Sequence, residues 1–179
     1  MNICPVSFGK KLYLDKCQIK DNEQNKFVPA SLVQFDCNDI SDVDEMFAGG
    51  QKWQFRQAVA CQMYHANDTK DIQTSSYSFF AIENSQKEIV SIAQVKRFGR
   101  DLVLDILESE PDKKYKYCGI NMISFLKKYA LSNNFKRIYI PNPVKTAKDF
   151  YTKKCGFREV RNSTALELTK HNFKKPIYA

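Results

Sequence analysis

Residues 147–157 read Ala-Lys-Asp-Phe-Tyr-Thr-Lys-Lys-Cys-Gly-Phe (AKDFYTKKCGF). Ala147, Phe150 and Tyr151 fall at helical spacing, which predicts an amphipathic helix over 146–154 with these three side chains turned inward. Gly156 then supplies the left-handed backbone that commonly ends a helix. Phe150 and Tyr151 differ by one hydroxyl. Taken alone, both rings read as core. A buried phenol needs a polar partner, however, and one beside a reacting centre can serve as a general acid.

Outward from this segment the elements alternate. Downstream, GFREVRN (156–162) and TALELTK (164–170) are strands, and upstream KRIYIP (136–141) is a short β-branched strand. CGINMISFLKKYALSNN (118–134) sets Ile120, Ile123, Leu126 and Ala130 three and four apart and reads as a helix stopped by Asn133-Asn134. Lys127 and Lys128 fall near its C-terminal end, where they favour the helix dipole. Before Pro111 the period drops to two. SYSFFAIEN (76–84), EIVSIAQVKRF (88–98) and DLVLDILES (101–109) are strands joined by turns at 84–87 and at Gly99-Arg100, an antiparallel meander. The strand–helix–strand unit over 102–140 predicts a right-handed crossover between parallel strands. The expected class is α/β (α+β), a mixed sheet flanked by helices on both faces.

The junction KYCGIN (116–121) leads from that meander into the helix. A glycine turn opening a helix presents free N–H groups and the positive end of the helix dipole, a ready anion site, and Lys113, Lys114 and Lys116 add charge around it.

Together the two segments resemble the GNAT superfamily of N-acetyltransferases. AKDFYTKKCGF is similar to that family's A-x-x-F-Y-x-K-x-G-F signature, and KYCGIN stands where the family carries Q/R-x-x-G-x-G/A. The element order agrees over about 41–170. The resemblance implies acetyl-coenzyme A as cosubstrate, no metal, and a cleft between the parallel strands 101–109 and 136–141. The pyrophosphate would rest on the N–H groups of Tyr117, Cys118, Gly119, Ile120 and Asn121, beside Lys116 and with Asn142 nearby. The backbone of Leu107 and Ser109 would meet the thioester, and Tyr151 would protonate the departing thiolate. The chain departs from the pattern at Lys116 (usually Gln or Arg), at Asn121 (usually Gly or Ala) and at Val144 (often Asn), with Asn142 two positions earlier. The approach from Pro111 is about two residues longer than is common.

A base is sought on the strand before the loop. Alternation over 101–110 puts Leu102, Leu104, Ile106, Glu108 and Glu110 on one face and Val103, Asp105, Leu107 and Ser109 on the other. Glu108 and Glu110 are the candidate bases, against the plainer reading of solvated carboxylates at a strand end. Cys118, at a helix start beside lysines, has surroundings that lower a thiol pKa. It reads as a loop residue, and no serine or cysteine nucleophile is implied.

The N-terminal part says less. KLYLDKC (11–17) and FVPASLVQFDC (27–37) can each supply a strand. Ser41 caps a short helix ended by Gly49-Gly50. KWQFRQAVACQMYHAND (52–68) reads as a second helix, with Trp53, Val59, Ala60 and Met63 on one face and Asn67-Asp68 closing it.

The chain of 179 residues is 43% hydrophobic and 27% charged, a globular composition of one-domain length. The single domain is expected over 1–179. No run of ~18 apolar residues predicts a membrane helix, and the N-terminus lacks the apolar stretch of a secretory signal. A cytoplasmic protein with free thiols, not a disulfide framework, is expected of its six cysteines. With two histidines and no C-x-x-C pair, a zinc site is not expected. The net charge of +8 is uneven. Residues 1–110 carry 12 basic and 16 acidic side chains, while residues 111–179 carry 16 basic and 4 acidic, net +12. A basic half of this kind reads as a surface that meets phosphate, in a nucleotide cofactor, a nucleic acid or an anionic membrane, against the plainer reading of solubilising lysine.

The expected activity is direct acetyl transfer to an amine-bearing acceptor of unread class, without a membrane partner. Three other readings stand beside it. One is a GNAT-type toxin acetylating aminoacyl-tRNA, with Lys136, Arg137, Lys170, Lys174 and Lys175 available for RNA phosphates. The second is a binding protein of the same fold without catalysis. The third is a nucleic-acid module with no cofactor.

Overall fold

The computed structural model describes residues 11–35, 53 and 77–177. The helices expected over 41–49 and 52–68 lie outside these residues, Trp53 excepted. β1 (Leu12–Asp21) and β2 (Lys26–Phe35) form an antiparallel hairpin. β3 (Tyr77–Glu83), β4 (Ile89–Phe98) and β5 (Asp101–Ser109) continue it as the expected meander. A two-residue strand, β6 (Tyr115–Lys116), precedes helix α1 (Cys118–Ser132). β7 (Arg137–Ile140) follows and pairs parallel with β5. β8 (Arg158–Glu159) and β9 (Leu166–Thr169) close the chain order. The nine strands of the described residues form one mixed sheet, ordered β6-β1-β2-β3-β4-β5-β7-β9-β8. Among the described residues no helix is long and apolar enough to cross a membrane.

β6 is an element the sequence did not announce. The chain leaving β5 follows the rim of the curled sheet to its far edge, where Tyr115 and Lys116 pair with Asp21 and Lys20 of β1. Asn22, in the β1–β2 turn, secures this path by donating its N–H to the Lys114 carbonyl (2.9 Å) and its side-chain amide to the Lys113 carbonyl (2.6 Å). α1 therefore starts beside β1 and crosses one face of the sheet to reach β7.

That face is the larger core. Leu32, Phe80, Ile82, Leu102 and Leu104 of the sheet pack on Met122, Ile123, Leu126 and Ala130 of α1, with Tyr151 and Phe157 in the same cluster. Each fully buried aliphatic or aromatic side chain contributes roughly 1.5–3 kcal/mol. On the opposite face Val33, Phe35, Phe79, Ile92 and Ile106 gather around Trp53.

Ile106 shows where strict alternation fails. Gln94 of β4 pairs with Ile106 and Val95 with Leu104, so Asp105 is an extra residue, a β-bulge. The bulge shifts the alternation by one. Leu102 and Leu104 face α1, Ile106 faces Trp53, and Leu107 returns to the α1 side. Glu108 thus shares the Ile106 side and not the Leu104 side on which alternation set it.

The helix expected over 146–154 is also altered. It opens as a 3₁₀ turn, Lys145–Ala147, and closes as a π turn, Phe150–Lys154. The Cys155 N–H reaches back five residues to the Phe150 carbonyl (3.2 Å), and the Phe157 N–H bonds the Tyr151 carbonyl (3.0 Å). The signature quoted above has four steps from its tyrosine to its glycine, whereas Tyr151 and Gly156 are five apart. The widened turn holds the extra residue. Gly156, at φ +79, ends the segment as expected.

Lys127 and Lys128 are committed to tertiary contacts, not to the helix end. Lys127, only 4% exposed, donates its ammonium to the Lys175 carbonyl. Lys128 pairs with Asp15 at 3.0 Å.

The parallel pair is clamped at its start. Arg137 donates Nε and Nη2 to Asp101 Oδ2 (2.9 and 2.8 Å) and Nη1 to Glu167 Oε2 (2.9 Å), joining β5, β7 and β9. Burial alone would raise the Glu167 pKa, but hydrogen bonds from Arg137 and Arg158 outweigh it and hold the group below its ordinary 4.5. A carboxylate with a lowered folded-state pKa adds stability above its unfolded pKa and loses it as pH falls through the folded value. Arg137→Met is expected to cost about 1–3 kcal/mol, the scale of hydrogen bonds to charged groups, less what solvent screening removes. Urea midpoints should show this loss near neutrality and converge with wild type below pH 4.5. Equal midpoints at neutral pH would exclude the clamp.

Candidate functional site

β5 and β7 stay together for three residue pairs, Asp101 with Arg137, Leu102 with Ile138 and Val103 with Tyr139. They then part. β5 continues along β4 as far as Ser109, opposite Ser91. β7 stops at Ile140, where Pro141-Asn142-Pro143 follows, and proline has no N–H for a ladder. From Leu104 onward, the β7-facing edge of β5 has no strand beside it among the described residues. The ladder between them ends there and leaves an opening along the β5 edge at the C-terminal ends of the parallel strands, the usual place for a ligand beside such strands. Leu107 and Ser109 lie on its β5 wall. The Ser109 hydroxyl donates to Ser91 Oγ (3.4 Å), and Ser91 donates to the Glu108 carbonyl (2.9 Å).

The start of α1 forms the second component. Tyr117 stands before it with φ 68, left-handed, and no side chain caps the helix. Its first turn holds no acid. The Asn121 N–H is already bonded to the Tyr117 carbonyl (2.9 Å), which removes it from the five donors expected of this loop. The N–H groups of Cys118, Gly119 and Ile120 precede that first helical bond and have no intrahelical acceptor. The Asn121 side chain does not fill the loop, because its amide donates to the Gln18 carbonyl of β1 (2.7 Å). The Tyr117 ring is likewise turned aside, stacked on Phe27 of β2 with centroids 5.8 Å apart. Lys116 is exposed.

Gly119 ties this loop to the π turn. A Cβ there would stand 3.1 Å from Phe150 Cζ, tighter than ordinary contact, so the ring packs against bare backbone. Tyr151 is adjacent, 6% exposed, and in edge contact with Phe150 and Phe157. Burial, with a smaller effect from Cys155, pushes its pKa well above the ordinary phenol value, so the hydroxyl keeps its proton at any physiological pH.

The two candidate carboxylates differ in setting. Glu110 Oε1 accepts the Tyr115 N–H (3.0 Å). It lines a cavity of about 480 Å³ with Glu23, Glu88, Asp112 and Tyr115. Glu108 is half-buried at the end of β5 and outside that lining. Asn142 is exposed two residues beyond β7, and no hydrogen bond joins it to the loop.

Cys118 corrects an expectation. Placed at a helix start beside lysines, its thiol is nevertheless pushed up to about 12, first by burial and then by Cys17 and Glu110. Its neighbour Cys17 is raised to about 11, mainly by burial. Desolvation of the thiolate outweighs the helix dipole at this position. Among the described residues Cys17, Cys118 and Cys155 are free thiols, and no three His, Cys, Asp or Glu side chains group closely enough to hold a metal.

No protein-family model and no curated protein matches the sequence. Solved structures do match the fold. One is an acetyltransferase of the GNAT family from Staphylococcus aureus Mu50, with TM-score 0.59 and 15% identity, over 79% of this chain and 99% of that one. The spermidine N-acetyltransferase of Vibrio cholerae matches with TM-score 0.55 and 14% identity, over 82% and 96%. The PaiA N-acetyltransferase of Thermoplasma acidophilum, solved in complex with coenzyme A, matches with TM-score 0.53 and 11% identity, over 78% and 98%. The mixed sheet with its single parallel pair, the helix α1 that joins β6 to β7 and these likenesses together show that this chain has the fold of the GNAT N-acetyltransferases.

Proposed function

We propose that the protein transfers an acetyl group from acetyl-coenzyme A directly to an amine. The observation that carries this reading is the opening between β5 and β7, with the uncapped start of α1 and the π turn bearing Tyr151 packed together through Gly119 and Phe150. The donor set fits the cofactor's chemistry. The N–H groups of Cys118, Gly119 and Ile120 would hold the pyrophosphate, with Lys116 supplying charge and Asn142 at the outer rim. The free edge of β5 near Leu107 and Ser109 would bond the extended amide arm as a strand would, and one of its N–H groups would polarise the thioester carbonyl.

The acceptor amine must lose a proton to attack. Glu108 or Glu110, through a water, would take it, and Tyr151 would give its proton to the leaving thiolate. Glu110 already holds the Tyr115 N–H, so Glu110→Gln is expected to loosen the entry to the loop and raise KM as well as lower kcat. Glu108→Gln, if Glu108 is the base, should lower kcat by roughly 10²-fold or more with cofactor affinity unchanged. Turnover preserved in both variants would remove the carboxylate base.

The decisive experiment is titration calorimetry with acetyl-coenzyme A, followed by an acceptor screen that reads free thiol. The screen should include polyamines, peptides and aminoacyl-tRNA, since the acceptor class is open. Absence of binding would withdraw the acetyl-transfer reading.

A further inference from the structure

The Arg137 clamp sits at the start of β5, about 26 Å along the strand from its other end at Ser109. Three connections meet there: the β4–β5 turn, the α1–β7 loop and the 3₁₀ turn after β9, Lys170–Asn172. They are stitched by backbone. The Lys136 N–H donates to the Arg100 carbonyl (2.7 Å), and the Lys170 N–H donates to the Lys136 carbonyl (2.8 Å). Lys170 Nζ reaches Asn134 Oδ1 (2.7 Å), and the Arg97 guanidinium lies 5.4 Å from the Phe135 ring centroid. Arg97, Arg100, Lys136 and Lys170 are all exposed.

The neighbouring carboxylates do not neutralise them. Asp101 is taken by Arg137, and Glu167 by Arg137 and Arg158. Among the described residues the four exposed cations make no ion pair, and Lys174 and Lys175 extend the same charge along the chain. Phe98, which follows Arg97 in β4, is 72% exposed, the most exposed large hydrophobic side chain among the described residues.

We propose that this end of the molecule docks single-stranded nucleic acid. Exposed cations gathered at one end of the sheet suit successive phosphates, and an exposed ring among them is a stacking platform for an unpaired base. A duplex hides its base faces and would leave Phe98 without a partner. This inference does not rest on acetyl transfer, and none of these residues belongs to the opening.

The test is fluorescence anisotropy with a labelled, mixed-sequence RNA of about 20 nucleotides, and its DNA counterpart, across a salt series. Wild type should bind in the micromolar range at low salt. The triple change Arg100→Gln, Lys136→Gln and Lys170→Gln should weaken binding at least ten-fold and reduce the log–log salt slope by about 2, at ~0.7 per phosphate contact. Phe98→Ala should weaken it roughly five-fold with the slope unchanged. Lys16→Gln, Lys20→Gln and Lys26→Gln, on the β1–β2 edge, remove equal charge elsewhere and should cost much less. Equal losses in the two triple variants would overturn the proposal, as would no binding at low salt. Binding to phosphatidylserine vesicles without binding to oligonucleotide would overturn it in favour of a membrane. Should the triple variant fail to fold by circular dichroism, Phe98→Ala and Arg100→Gln singly carry the same comparison. Calorimetry with acetyl-coenzyme A on the same variants should be unchanged, which separates this inference from the acetyl-transfer reading.

Discussion

Tyr151→Phe is expected to lower turnover by roughly 10²–10⁴ while acetyl-coenzyme A affinity barely moves. The variant keeps the ring that packs between Phe150 and Phe157 and removes only the hydroxyl. Burial keeps that phenol protonated and also makes it a weaker acid, so the proposed transfer to a thiolate draws on the thiolate leaving the site and not on an acidic phenol. A thiolate leaves fairly readily, so water can replace part of the effect, and the loss should be largest at high pH where solvent protons are scarce. A packing role predicts otherwise: turnover intact and stability altered by about 1 kcal/mol, the scale of one hydrogen bond. The assay is turnover at saturating cofactor across pH. Wild-type rates at every pH would reduce Tyr151 to a core residue.

Gly119→Asp should weaken coenzyme A binding ten-fold or more, by placing an anion at the start of α1 where the pyrophosphate is proposed to rest. The structure adds a steric effect to the electrostatic one, since any Cβ at Gly119 presses on Phe150. Gly119→Ala separates the two. It carries the same contact without charge and replaces glycine within a helix, which by itself favours the helix by up to ~1 kcal/mol. Affinity within about three-fold of wild type for Ala, against ten-fold or more lost for Asp, would identify charge as the cause. Equal loss in both would mean that displacement of Phe150 is what the loop cannot bear, and unchanged affinity in a folded Asp variant would remove the loop from the site.

The sheet was legible because its signal is periodic. Alternation and short turns located β3, β4 and β5, and spacings of three and four located α1. What escaped depends on one residue more or less. Asp105 interrupts alternation without leaving a mark in composition, and it moves Glu108 to the other side of β5. The extra step between Tyr151 and Gly156 was countable in the sequence, yet helical periodicity cannot say whether it loops out or widens the turn. β6 is two residues paired to a strand about a hundred positions earlier, too short and too distant for any local pattern. Cys118 and Lys127 failed for a different reason. Their neighbours in sequence suggest charge stabilisation, while their neighbours in space desolvate them. The loop proposed as an anion site was half legible: Gly119 marked it, but only the structure shows that the Asn121 side chain is drawn to Gln18 and its N–H to Tyr117.

The π turn at Phe150–Lys154 has a bearing on how such a chain can change over time. In an α-helix one inserted residue swings everything beyond it through about 100°, so a single-codon insertion would carry either Tyr151 or Phe157 out of the core. One wide turn takes up that rotation, and both rings stay inside. An insertion that would elsewhere be purged becomes tolerable at this point, and its deletion equally so. A shorter segment closing as an ordinary α-helical turn would leave both rings in the same place.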